Sequence, residues 1–204
     1  NVQGFDKEIS LAVSEQYLPV GSGTKIPKKP YSIALSLADK IDTLVGFFGI
    51  NEKPSSSKDP FALRRIALGI IRTVIENKKD LKIKDLLTYS SSLYQDQGYK
   101  FINFELQKEL NTFLKDRFRY YMKEKQIRND IIDASISSFS LNKLFSSFEK
   151  SKILNKIINR QEGLDIISSY KRASNILDFE IKDGKVVITN STDPAIFKTD
   201  FEKN

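Results

Sequence analysis

Apolar positions along this chain recur at spacings of three and four far more often than two, which is the period of helices packed on one face. Ile9, Ala12, Val13, Gln16 and Tyr17 make a first short stripe. Ala34, Leu37, Ala38, Ile41, Leu44 and Val45 make a second. A third helix is predicted after Lys58, with Asp59 as N-cap and Pro60 in the first turn, where its missing N–H costs nothing. Its stripe is Leu63, Ala67, Ile70, Ile71 and Val74. A polar break at residues 77–80 separates it from a short helix over residues 81–94. The longest helix is expected over residues 101–125, with Leu106, Leu110, Phe113, Leu114, Phe118 and Tyr121 on one face. Asn129 or Asp130 is placed to cap a helix over residues 131–138, and helices over 141–158 and 164–177 complete the set. Two stretches depart from this period. Residues 19–30 hold three prolines and two glycines and read as a loop. Residues 179–188 alternate around Asp183-Gly184, the signal of a small β-hairpin or a loop. The expected fold class is all-α, a multi-helix bundle, with that one possible hairpin.

Composition narrows the chemistry. The chain has 204 residues, no histidine, no cysteine and one methionine, Met122. Without Cys there is no disulfide and no thiolate metal site; without His there is no Ser-His-Asp triad and no two-His zinc helix. The expectation is a stretch with no catalytic residue and no metal site of its own. No apolar run reaches the roughly 18 residues of a membrane helix, and no signal peptide is visible, so a cytoplasmic location without a membrane partner is expected. The chain opens at Asn1 and ends in a charged stretch, which reads as an interior piece of something longer.

Charge adds a weaker hint. The net charge is +7, and 25 of the 33 basic residues are Lys against 8 Arg, a bias that an AT-rich genome would also produce. Residues 51–100 carry 10 basic and 6 acidic side chains and are the most basic quarter, which suits a nucleic-acid partner. Arg65, Gly69 and Arg72 share one helical stripe, open either to a phosphate backbone or to a closely packed helix. Residues 115–128 interleave six basic side chains, Arg117 and Arg119 among them, with Phe118, Tyr120 and Tyr121; Tyr120 falls off the core stripe and is available for stacking. Gly21-Ser22-Gly23-Thr24-Lys25 resembles a phosphate loop but lacks the required spacing and a preceding strand, so it reads as a flexible loop. Asp39 and Asp42 lie on one helical face. Two carboxylates could hold Mg²⁺, but ion pairs with Arg64 or Arg65 are the better expectation.

Two runs carry a specific resemblance. Ala38-Asp39-Lys40-Ile41-Asp42-Thr43-Leu44-Val45-Gly46 is followed by Pro54-Ser55-Ser56-Ser57-Lys58-Asp59-Pro60-Phe61-Ala62-Leu63-Arg64-Arg65. They resemble A-D-K-L-D-T-L-V-G and P-T-G-S-K-D-P-F-A-L-R-R of the β subunit of bacterial glycyl-tRNA synthetase, at the same spacing. Tyr17 with Pro19, Asp116-Arg117, residues 130–134 and the 171–177 run Lys-Arg-Ala-Ser-Asn-Ile-Leu extend the likeness in order along the chain. Ser55-Ser56 stand where that family has Thr-Gly, Gln16 where it often has His, and the stretch around residues 4–6 is shorter.

The resemblance implies a heterotetramer of two α and two β subunits that joins glycine to tRNA(Gly). ATP with Mg²⁺ and the catalytic core would belong to the α subunit, and no cofactor to this stretch. The β subunit would bind and position tRNA. Residues 1–79 would be the later part of an HD-like helical domain, residues 80–158 a helical linker or body, and residues 159–204 the start of an anticodon-binding (DALR-like) domain. Charge and helical face then nominate Lys58, Arg65, Arg72, Arg117, Arg119, Lys171 and Arg172 for RNA contact, and Asp39, Asp42 and Arg64 for structural ion pairs. The rivals are a general helical RNA-binding or scaffold module, and an HD-type metal phosphohydrolase, which would need histidines this chain lacks.

Overall fold

The computed structural model describes residue 4 and residues 6–182. Eight α-helices account for most of them: α1 Lys7–Glu15, α2 Pro30–Gly49, α3 Leu63–Glu76, α4 Ile83–Asp96, α5 Leu106–Glu124, α6 Asn129–Ser137, α7 Leu144–Ile158 and α8 Gln161–Lys182. A single 3₁₀ turn, Leu141–Lys143, leads into α7. Among the described residues the fold is all-helical. Of the expected hairpin, residues 179–182 continue α8 instead, and the remainder lies outside the described residues.

The helix ends follow local chemistry. Asp6 caps α1 by accepting from the Glu8 N–H at 2.7 Å. Pro30 opens α2 at its first position. The start of α3 differs from expectation. Asp59 is not the residue before the first turn; its carboxylate reaches forward to the N–H groups of Leu63 (2.8 Å) and Arg64 (3.0 Å). Residues 60–62 form a turn, and Ala62 enters the helix from a left-handed conformation, φ 55°. α5 likewise begins five residues later than the pattern predicts. The N–H groups of Ile102 and Asn103 donate to the Gly49 carbonyl, and the Asn103 amide donates to that of Phe48, so residues 101–105 cap the end of α2 rather than extend α5.

The chain forms two compact units, one ending at Asn155 and one beginning at Lys156. In the first, α2 is the central helix: α1, α3, α4 and α5 all pack against it. Its inward face carries Ile41, Leu44, Val45 and Phe48, and meets Ile70, Ile71 and Val74 of α3 and Leu110, Leu114 and Phe118 of α5, all buried. Each such side chain stabilises the fold by about 1.5–3 kcal/mol through removal of apolar surface from water. Gly49 sits where α2 ends under the Phe101 ring; a Cβ there would lie 2.1 Å from a ring carbon. In the second unit Gly163 serves a similar need, because a Cβ would meet the Ile157 carbonyl oxygen at 2.2 Å. α8 is exposed along most of its length, with Ile166, Tyr170, Ile176 and Phe179 open to solvent.

Candidate nucleic-acid interface

The nominated cations separate into three groups. Lys58, Arg65, Lys171 and Arg172 are exposed, with their charges at the surface. Lys58 stands in the turn before α3, where its backbone N–H donates to Ser55 Oγ at 3.1 Å. Lys171 and Arg172 follow Tyr170, which is 72% exposed on α8.

Arg117 and Arg119 are half-buried on α5. The Arg117 guanidinium lies 5.9 Å from the Phe113 ring centre and 5.8 Å from that of Tyr120, a stacked arrangement that holds a planar cation against aromatic faces. Its Nε is buried and has no acceptor. Tyr120 is 46% exposed, as its place off the core stripe predicts. Arg119 is ion-paired with Asp133 of α6, which ties the two helices together and partly neutralises it.

Arg72 is a correction. It is only 7% exposed. Its guanidinium donates to the carbonyls of Gly21 and Thr24, each at 2.6 Å, and forms a two-point ion pair with Glu76 at 2.8 and 3.3 Å. Four hydrogen bonds engage all three guanidinium nitrogens, so Arg72 holds the loop over residues 21–24 onto α3 and its charge is buried. The same contacts dispose of the phosphate-loop likeness. Two of the loop's carbonyl oxygens are consumed by Arg72, and Thr24 Oγ1 donates back to Gly21 O at 2.8 Å. Gly69, next on the stripe, is buried beneath Lys40, whose Cε would stand 3.0 Å from an added Cβ. Close packing, rather than ligand approach, explains that glycine.

The expected ion pairs of Asp39 and Asp42 are a second correction. Among the described residues neither carboxylate has a basic partner within ion-pair distance. Asp42 accepts instead from the Tyr94 hydroxyl at 3.1 Å, and burial together with that carboxylate pushes the Tyr94 hydroxyl up to about 12. Arg64 donates to the Ser55 carbonyl and braces the turn before α3. Lys40, next to Asp39, is buried, and desolvation lowers its pKa from the ordinary value; it donates to Ser36 Oγ at 2.9 Å and to the Gln16 carbonyl at 3.2 Å. Asp39 and Asp42 are joined by no third acidic, His or Cys side chain among the described residues.

One basic cluster escapes the linear count. Lys28 Nζ donates to the Glu76 carbonyl (3.3 Å) and Asn77 Nδ2 to the Pro27 carbonyl (3.0 Å), which brings the lysines of the 25–30 loop beside those of the 77–82 turn. The signal in the sequence is two separate Lys-Lys pairs, 28–29 and 78–79, each flanking a helix end.

The sequence model described as glycyl-tRNA synthetase beta subunit matches residues 1–137. This chain belongs to the glycyl-tRNA synthetase beta subunit family. Its relatives include the glycine–tRNA ligase beta subunits of Cereibacter sphaeroides, 34% identical over 98% of this chain, Dinoroseobacter shibae, 33% identical over 98%, and Ruegeria sp., 36% identical over 89%. The chain spans only 29%, 31% and 25% of the length of those beta subunits. The family match covers the whole α1–α5 core and α6, and so includes Lys58, Arg65, Arg117 and Arg119. Lys171 and Arg172 lie beyond it, within the reach of the longer alignments. Among the described residues no helix is long and apolar enough to cross a membrane.

Proposed function

We propose that this chain is part of the β subunit of a cytoplasmic glycine–tRNA ligase and that it binds and positions tRNA(Gly). Membership of the beta-subunit family carries the reading; the exposed cations are its physical support. Catalysis, with ATP and Mg²⁺, belongs to an α subunit in an α₂β₂ assembly. Lys58 and Arg65, beside and on α3, and Lys171 with Arg172, beside an exposed aromatic ring, offer charge with no ion-pair partner among the described residues. Charge of this kind attracts phosphates, and an exposed tyrosine adds stacking.

The test uses the intact α–β enzyme. The double reversal Lys58→Glu/Arg65→Glu is expected to weaken tRNA(Gly) binding by about tenfold at moderate salt and to make its salt dependence shallower, since each phosphate contact contributes about 0.7–0.9 to the slope. Unchanged affinity in a folded enzyme removes these two residues from the interface. Equal binding of unrelated RNA favours the general RNA-binding module.

A further inference from the structure

We infer that the lysines at the joined ends of the 25–30 loop and the 77–82 turn form a second RNA-backbone contact, separate from the Lys58/Arg65 surface. The inference rests on the tRNA-binding reading above and adds to it a surface that the sequence pattern did not nominate.

Five lysines are involved: Lys28, Lys29, Lys78, Lys79 and Lys82, all exposed. Tertiary structure, not sequence, assembles them. The bonds from Lys28 Nζ to Glu76 O and from Asn77 Nδ2 to Pro27 O clamp the two segments across fifty residues of chain. Asn77 also donates to Thr73 O at 2.8 Å, so the clamp is anchored on α3 itself. Lys78 takes a left-handed conformation, φ 56°, and closes α3 with its N–H on the Ile75 carbonyl, while the Lys79 N–H reaches Val74 O. The turn is therefore a fixed platform for its lysines.

The charge is uncompensated. Among the described residues no carboxylate stands within ion-pair distance of any of the five. The acidic residue that ends α3 and the one in the turn are committed elsewhere. Glu76 pairs with Arg72 at 2.8 Å. Asp80 accepts from the N–H groups of Phe145 (2.9 Å) and Ser146 (3.2 Å) at the start of α7, and from the Ser146 hydroxyl. α2 starts at Pro30 in the same place and adds the positive end of its dipole, with no side-chain cap to offset it. Five like charges held together repel one another unless a polyanion is at hand. A phosphodiester backbone supplies such a polyanion, and lysine serves it as a point charge that does not depend on base sequence.

The test compares two sets of variants of the intact α–β enzyme for binding of a tRNA(Gly) transcript as a function of salt. Lys29→Glu/Lys78→Glu/Lys79→Glu/Lys82→Glu is expected to weaken binding at least about tenfold and to lower the salt slope by about 3, four contacts at 0.7–0.9 each. The same four positions as Arg are expected to bind as the parent does. Lys28 is left intact because its bond to Glu76 is part of the clamp. If the reversals perturb the circular dichroism, the four Lys→Gln changes replace them and the same fall in slope is expected. An unchanged affinity and slope, while Lys58→Glu/Arg65→Glu weakens binding, overturns this second surface and leaves the tRNA-binding reading standing. Unchanged binding in both sets overturns both. Loss of the α subunit with an unchanged salt slope makes the cluster a protein interface and likewise overturns the inference.

Discussion

At the scale of single residues, two side chains show how position decides role. Arg65 and Arg72 are seven apart, about 20° short of two full turns, and so occupy the same helical stripe. One is exposed and the other buried, because the 21–24 loop covers only the later half of that stripe. Arg72→Met removes the donors to two loop carbonyls and leaves Glu76 without its partner. The expected loss is about 2–4 kcal/mol of stability, read from urea unfolding of the chain. Gly49 is the second case. A methyl group there collides with the Phe101 ring, so Gly49→Ala is expected to cost about 1–3 kcal/mol. Phe101→Ala relieves the collision, and a double-mutant cycle should show the two changes costing well under the sum of their separate losses. Neither need is visible in the sequence, where Gly49 is one more small residue at a helix end.

At the scale of elements, the start of α3 and the turn before α5 carry the local chemistry. Asp59 satisfies two N–H groups at the α3 start, and Asp59→Ala is expected to lower stability by about 0.5–2 kcal/mol, measured as a shift in the urea midpoint with an unchanged slope. In the first turn of α5, Glu109 accepts from Lys53 at 2.7 Å and from Asn103 at 2.6 Å. These bonds, that from Lys53 above all, hold its carboxyl below the ordinary value of 4.5. Folding therefore favours the ionised form. The contribution is present above pH 4.5 and is lost as pH falls through the depressed value. Both partners are about one-third exposed, so solvent screening keeps the effect small. Glu109→Gln is expected to cost under about 1 kcal/mol at pH 7 and to flatten the acid limb of the stability profile. Asp59 was recognisable as a capping residue because its side-chain chemistry is local. The shift of α5 to Leu106 was not, since residues 101–105 are turned aside by carbonyls at the end of α2, fifty residues away.

At the scale of the whole molecule, the helices are amphipathic and short, and α2 and α5 are each packed against at least four other elements. Removing Phe118, which fills the centre between α5 and its neighbours, is the whole-fold test. Phe118→Ala is expected to destabilise by about 3–5 kcal/mol and to lower the thermal midpoint of the first unit by several degrees. The functional prediction belongs here too, because phosphate contact depends on charges brought together from distant segments. If Lys58 and Arg65 form one surface and the joined lysines another, combined reversal should lower the salt slope by the sum of the separate effects.

The sequence by itself determined the helical class, the order of the elements, most of their apolar faces and the family. These depend on period and on runs of neighbouring residues, which a chain displays directly. The identity of the cations that remain free was decided only in three dimensions. Arg72 was taken up by a loop fifty residues distant, Arg64 by a nearby carbonyl and Arg119 by Asp133, while five lysines from two separate segments were drawn into one cluster with no ion-paired carboxylate among the described residues. A side chain's charge is written in the sequence; whether that charge is satisfied depends on which carbonyls and carboxylates the packing of α2 against α3 and α5 brings within reach.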